Sequence, residues 1–443
     1  MLEAMGLSAG SRPVSPGIRG RVAAALGRGL PRVREIEAAV SFEPWRPRFY
    51  PLVLSAALVF GLLGGMVISA LPRGGIVRSN EWHLWTGWEK ETLPSVLFRM
   101  LGIGPDPNER EGTDAIRTYF RLTSQIAAVE PSDSAEAEAL TKQRDVYENT
   151  VERYVAGLID EAVVAAGLQR RLPLFSDLPI TWPPVNFELT APPQLLIRSP
   201  RNAILRAGDT LMRNDLTAEQ AEAVEKATDD AETVSIVEPI GGLAAYPAVV
   251  TAGRSFDGWM NTTAHEWVHH YLAFFPLGAT WGSGGDSITL NETTANIAGQ
   301  ALANIIRAKH PLQLAANEDG RAPAITCNAP PIDFFAEMRG LRLQVDGLLA
   351  AGQVTEAERA MEAKRVFLGE HCIAIRKLNQ AYFAFHGSYA DTAAASDPIG
   401  PKIERVRKLT GDVGTFLRVM RDVTNVRDLD SALAILERTA APP

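Results

Sequence analysis

Residues 265–269 read His265-Glu266-Trp267-Val268-His269, and the fold of the chain turns on this stretch. No Gly or Pro falls between 261 and 275, and Trp267, Val268 and Leu272 supply apolar surface, so the segment reads as a helix. Asn261 and Thr262 are placed to cap its start and Pro276 to stop it. On a helix, positions four apart share a face, so His265 and His269 project together. Two imidazoles so placed can grip one Zn²⁺, with Glu266 beside them as a general base. The chain holds 7 His in 443 residues. At that frequency chance produces the pattern in about one such sequence in a hundred.

A catalytic zinc takes three protein ligands and leaves one position for water. The third ligand is sought downstream, in Thr289-Leu290-Asn291-Glu292-Thr293-Thr294-Ala295-Asn296, which opens a second helical stretch running to about residue 309. Thr289 or Asn291 is expected to cap that helix, which puts Glu292 in its first turn. The Gly-rich stretch 276–288 reads as a loop that reverses the chain, so two antiparallel helices can bring Glu292 to the imidazoles. His270 points well around the helix from His265 and is expected to support the site or face solvent.

With His265-Glu266-x-x-His269 followed by Asn291-Glu292-x-x-x-Asn296, residues 240–300 resemble the gluzincin branch of the zincin metallopeptidases. The resemblance implies an α+β fold, with a mainly helical catalytic domain and a small mixed β-sheet before the zinc helix. It implies His265, His269 and Glu292 as ligands of a Zn²⁺ cofactor and a peptide or protein as substrate. Glu266 is then the base that takes a proton from water and delivers it to the leaving amine. That family often places an Asp four residues after the ligand Glu. Here the position holds Asn296, which can accept an imidazole N–H but carries no charge.

The family also draws an oxyanion donor, Tyr or His, from further downstream. Tyr382, His386 and Tyr389 fall on one face if a helix runs through Gly387, and His386 and Tyr389 are the candidate catalytic donors. The plainer alternative is an aromatic packing face. Substrates of that family lie along an edge strand before the zinc helix. Residues 233–239 and 241–250 read as strands, and Pro247 fits an edge position in the second.

Residues 52–71 hold 20 positions without a charge, about 30 Å of helix and one bilayer core. Residues 1–50 carry eight Arg and no Lys, whereas 72–91 carry only Arg73, Arg78 and Lys90. That bias keeps the N-terminus cytoplasmic and the catalytic domain extracytoplasmic. The expected organisation is a basic tail (1–50), a transmembrane helix (51–71), a juxtamembrane and helical stalk or subdomain (72–175), and a zinc metallopeptidase-like domain (176–443). Within these, 135–168 reads as a long amphipathic helix, 185–190 and 194–198 as strands of one sheet with 233–250, and 332–351 and 354–386 as helices.

Cys327 and Cys372 fall on the exported side, where a disulfide is allowed, and a cysteine–His371 metal site is the alternative. Net charge is −8 with no basic cluster beyond the tail, which excludes an electrostatic nucleic-acid binder. The membrane is the partner implied instead. Two other functions stay open. One is a non-catalytic exported binding domain that keeps the fold, and the other a zinc hydrolase of non-peptide amides such as cell-wall material.

Overall fold

The computed structural model describes residues 106–129, 134–172, 175–251, 253–283, 286–315, 318–321, 327–389 and 398–440. The expected tail and transmembrane span, 1–71, lie outside them. No described helix is long and apolar enough to cross a membrane.

The described chain opens with a helical hairpin, α1 (Glu109–Ala128) and α2 (Ala135–Ala165). Asn108 and Glu111 form a reciprocal cap on α1, and Ser134 caps α2. Ile116, Tyr119 and Phe120 of α1 and Val151, Val155 and Ile159 of α2 are buried in the same core as Trp259, Val268 and Leu302. An apolar stripe of that width needs a partner surface. These helices of the 72–175 stretch therefore pack on the helices of the metal motif rather than standing apart from them.

Strands β1 (Arg170–Leu172) and β2 (Phe175–Ile180) form an antiparallel hairpin. They are followed by β3 (Phe187–Leu189), β4 (Gln194–Pro200), β5 (Gly208–Met212), helix α3 (Ala218–Thr228), β6 (Thr233–Pro239), β7 (Gly242–Leu243) and β8 (Ala248–Val250). One sheet is antiparallel in the order β5-β4-β6, with Leu196 opposite both Thr210 and Val237. The other is mixed in the order β3-β8-β7, β3 running parallel and β7 antiparallel to β8.

The single sheet expected over 185–250 is therefore two. Pro192 and Pro193, lying between β3 and β4, lack the N–H groups a continuous ladder needs, and the chain passes from one sheet to the other there. The edge strand expected over 241–250 is likewise interrupted at Pro247. Its second part, β8, is the central strand, and its first part, β7, lies at one edge of the sheet, opposite β3.

Beyond β8 run α4 (Phe256–Leu272), the short α5 (Pro276–Ala279) and α6 (Ser287–Lys309). Arg307 near the end of α6 pairs with Asp257 at the start of α4 at 2.9 Å, so the two helices are antiparallel. Next come α7 (Phe334–Ala350), α8 (Val354–Glu370) and α9 (Gln380–His386). Then α10 (Ile399–Thr410), α11 (Val413–Met420) and α12 (Val426–Ala440) close the core, with α10 and α11 packed on α6.

The helix expected over 354–386 is two helices. Cys372 sits at φ 60° between them and is disulfide-bonded to Cys327, and the Asn379 side chain caps α9 by accepting the Tyr382 N–H at 3.0 Å. Both cysteines being bonded to each other, the cysteine–His371 metal site does not form. Alternate residues of β4 serve opposite layers. Leu195 and Ile197 meet Ala381 and Phe385 of α9, while Leu196 meets Ala221 of α3.

Candidate metal centre

Helix α4 starts six residues before the first expected cap. Ser255 is its N-cap, the hydroxyl accepting the Gly258 N–H at 3.2 Å. Phe256 and Trp259 pack edge-on to Phe120 and Phe187, and this apolar contact carries the helix upstream. Asn261, not needed as a cap, accepts from Arg307 at 2.6 Å. The motif thus sits in mid-helix, where His265 and Glu266 are buried.

Helix α6 also starts early, after Asp286, so Glu292 lies in its second turn instead of its first. There it faces α4. The two helices meet at Gly299, where a Cβ would stand 2.7 Å from the His265 nitrogen and 2.8 Å from its Cα. Only a residue without a side chain permits that approach.

The donors converge. Nε2 of His265 and Nε2 of His269 are 2.9 Å apart, and Oε2 of Glu292 lies 3.5 Å from the first and 3.3 Å from the second. Ligands held about 2.0–2.1 Å from a tetrahedral zinc stand about 3.3 Å from one another, so this triangle has the dimensions of a zinc ligand set. Glu266 also offers an oxygen within 4.8 Å of both imidazoles, which makes two carboxylates candidates. Glu292 is the better ligand, being almost equidistant from both nitrogens. The Glu266 carboxylate rests instead on β7, where a Cβ at Gly242 would lie 2.2 Å from its Oε1.

The surroundings prepare His269 for a metal. Its Nδ1 is 2.8 Å from Oδ1 of Asn291, whose Nδ2 donates to the Leu277 carbonyl at 3.2 Å. The second bond fixes which end of the amide is oxygen. In its neutral form, the form a metal requires, His269 therefore carries its proton on Nδ1 and offers the Nε2 lone pair to the centre. Asn291 thus gives His269 the support of an amide oxygen. Glu292 is held in turn by Trp281, whose indole N–H donates to Oε1 at 3.3 Å, and by the hydroxyl of Tyr389.

The downstream candidates separate. Helix α9 ends at His386 with Gly387 as its C-cap, so Tyr382, His386 and Tyr389 do not share a helical face. Tyr389 lies against the site, its ring centroid 6.2 Å from that of His265. His386 turns to β6, its Nε2 3.5 Å from Oε2 of Glu238 and its ring 4.2 Å from Tyr382. His270 neither joins the centre nor faces solvent. It is buried, its Nε2 donates to the Ala245 carbonyl at 2.5 Å, and burial holds its pKa down to about 4, so it stays neutral. It ties the β7–β8 loop to α4.

Burial raises Glu266 above the usual carboxylate range, against the pull of both imidazoles. Burial alone would lower His269, but the charge and hydrogen bond of Glu292 outweigh it and lift the imidazole to about 9. Glu292, despite its burial, is held well below the carboxylate range by the same two imidazoles. The cluster is thus built to accept a positive charge between its donors.

Gly242, Trp281 and Gly299 belong to no motif. Their sequence signals are a Gly-Gly pair at a strand start, a Trp inside a Gly-rich loop and a Gly inside a helical pattern. No protein-family model, curated protein or solved structure matches the chain.

Proposed function

We propose that the protein is a zinc-dependent metallopeptidase, anchored in a membrane by residues 51–71 with its 176–443 domain extracytoplasmic. The observation that carries this reading is the convergence of His265 Nε2, His269 Nε2 and Glu292 Oε2 into a triangle with edges of 2.9, 3.3 and 3.5 Å. A structural zinc would fill its fourth position with Cys or His. Among the described residues the cysteines are bonded to each other, and His270, His310, His371 and His386 are engaged with Ala245, Glu161, Phe367 and Glu238. Three ligands and an adjacent acid are the makings of a hydrolytic site.

Zn²⁺ bound there would polarise a carbonyl and lower the pKa of water at its open position towards about 7. Glu266, with its pKa raised by burial, accepts the proton of the attacking water and returns it to the leaving amine. Burial, with Glu292 and Glu266 nearby, keeps the Tyr389 hydroxyl protonated, so by turning from Glu292 it would serve as a donor to the oxygen on which charge develops. The open side of β7 offers an edge beside Glu266 to which an extended peptide can add as a further strand. Membrane anchorage is supported by the uncharged run at 52–71 and the arginine bias before it. The Cys327–Cys372 disulfide suits an oxidising compartment.

The test measures bound zinc and peptide cleavage on the full-length protein beside Glu266→Gln and Glu292→Gln. The wild type binds zinc and cleaves. Glu266→Gln keeps its zinc and loses at least about 100-fold in rate, while Glu292→Gln loses metal affinity. A wild type that takes up no zinc would sink the reading.

A further inference from the structure

Arg254 lies in the loop that carries β8 into α4, and its guanidinium rests on the residue beside the one that receives Glu266. A Cβ at Gly241 would stand 2.2 Å from Arg254 Nη2 and 2.5 Å from its Cζ, just as one at Gly242 would stand 2.2 Å from Glu266 Oε1. The backbone at this point is pinned to the sheet by the Thr251 N–H, which donates to the Gly241 carbonyl at 3.1 Å. Neighbouring Cα atoms are about 3.8 Å apart and neighbouring side-chain directions diverge, which sets the two charged heads on the order of 10 Å apart or less.

Arg254 is exposed and forms no ion pair among the described residues. Three other arginines of this domain, by contrast, are paired: Arg206 with Asp209 at 2.7 Å, Arg201 with Glu358 at 2.6 Å and Arg307 with Asp257 at 2.9 Å. A planar guanidinium left open at the end of an edge strand is a receptor for a carboxylate. The chain as a whole carries a charge of −8, so attraction for an anionic group has to be local.

We propose that Arg254 is a specificity determinant that receives a carboxylate of the peptide substrate, two or three residues from the bond cleaved; this rests on the metallopeptidase reading above. The distance follows from the reach of about 10 Å and a strand rise of about 3.3 Å per residue. The carboxylate belongs either to an acidic side chain or to a free C-terminus, and the chemistry of recognition is the same for both.

The experiment uses the full-length, zinc-loaded protein and blocked hexapeptides of Ala and Leu. A single Glu, or its isostere Gln, is walked along the peptide, with the C-terminus free or amidated. Wild type is expected to cleave one Glu register roughly three- to tenfold better in kcat/KM than its Gln twin, the modest size reflecting an exposed guanidinium. Arg254→Ala brings that ratio near one, Arg254→Lys keeps part of it, and Arg254→Glu reverses it in favour of a Lys peptide. A preference that tracks the free C-terminus instead of the Glu register assigns the bound group to the terminal carboxylate. The same ratio is expected in Kd when the peptides are titrated onto the Glu266→Gln protein by calorimetry, a readout that needs no turnover. Because Arg254 is exposed, these substitutions leave core packing alone.

A ratio near one in the wild type for every register and both termini, or one unmoved by Arg254→Ala, overturns the assignment. Persisting cleavage then leaves the metallopeptidase reading standing. Failure of the zinc-loaded wild type to cleave any peptide overturns that reading and this assignment with it.

Discussion

Asn291 accepts the Nδ1–H of His269 at 2.8 Å while its own amide donates to the Leu277 carbonyl at 3.2 Å. One side chain thus joins the metal-facing imidazole of α4 to the turn that connects α4 with α6. It also sets the tautomer in which Nε2 is free to bind. Asn291→Ala should lower zinc affinity about 10- to 100-fold, the usual cost of losing such a support, while the helices stay packed. Competition with a chromogenic chelator reads the affinity directly. An unchanged value would mean that the tautomer is set by something other than Asn291.

Gly242 and Gly299 serve different halves of the site, and alanine separates them. At Gly242 the new Cβ meets only the far end of the Glu266 side chain, at 2.2 Å, which can swing aside. Gly242→Ala should therefore keep zinc and lose at least about tenfold in kcat, because the base is displaced. At Gly299 the new Cβ meets the backbone of His265 at 2.7 Å, which cannot swing. Gly299→Ala should part α4 from α6, cost about 1–3 kcal/mol in stability and weaken zinc binding. Thermal melts with metal analysis of both variants check the pattern, and its inversion would contradict the assigned contacts.

The two helices of the site were legible because their signals are chemical as well as periodic. His265, Glu266 and His269 declare a shared face, and Glu292 opens the next helical pattern. Their starts were not legible. Ser255 precedes the expected cap because Phe256 and Trp259 find aromatic partners from distant parts of the chain, and local propensity carries no record of them. Strands of two or three residues, such as β3, β7 and β8, are too short to show a period, so the division into two sheets was hidden. β4 is legible in the sequence, but its neighbour β5 and the helix α3 have no counterpart among the expected elements. The break after α8 depends on a disulfide pairing that spacing alone leaves open. Helical spacing marks Tyr389 as a candidate, yet it reaches the site from beyond the end of α9 and not along its face.

The disulfide should contribute measurably and locally. Cys327 and Cys372 are 45 residues apart and enclose the α7–α8 hairpin, which has a core of its own around Leu341, Val345 and Met361. Closing a loop of that length removes unfolded-state entropy worth about 4 kcal/mol in the chain-entropy account. The paired change Cys327→Ser and Cys372→Ser should lower denaturant stability by about 2–4 kcal/mol and leave zinc binding in place. Equilibrium unfolding with and without reductant checks it. If reductant has no effect on the wild type, the bond carries none of this stability.

The acid limit of the fold should lie partly with Glu225 of α3. This residue is 2% exposed, yet it accepts the Val237 N–H at 2.7 Å, receives two bonds from Arg376 and lies 3.2 Å from Lys377 Nζ. Burial by itself would raise its pKa. Arg376, the Val237 N–H and Lys377 together overcome that and hold the carboxyl below its usual range. The native state therefore binds this proton less readily than the unfolded chain, where the pKa is about 4.3. The stabilisation is complete above the unfolded value and is lost as pH falls through the folded one. Urea midpoints should decline from about pH 5 downward. Glu225→Gln should make that decline shallower and cost about 2–4 kcal/mol at neutral pH, because Arg376 and Lys377 lose their buried partner. A variant as stable as the wild type at pH 7 would show that desolvation cancels the pairing. An equally steep acid decline in the variant would place the titration on other carboxylates.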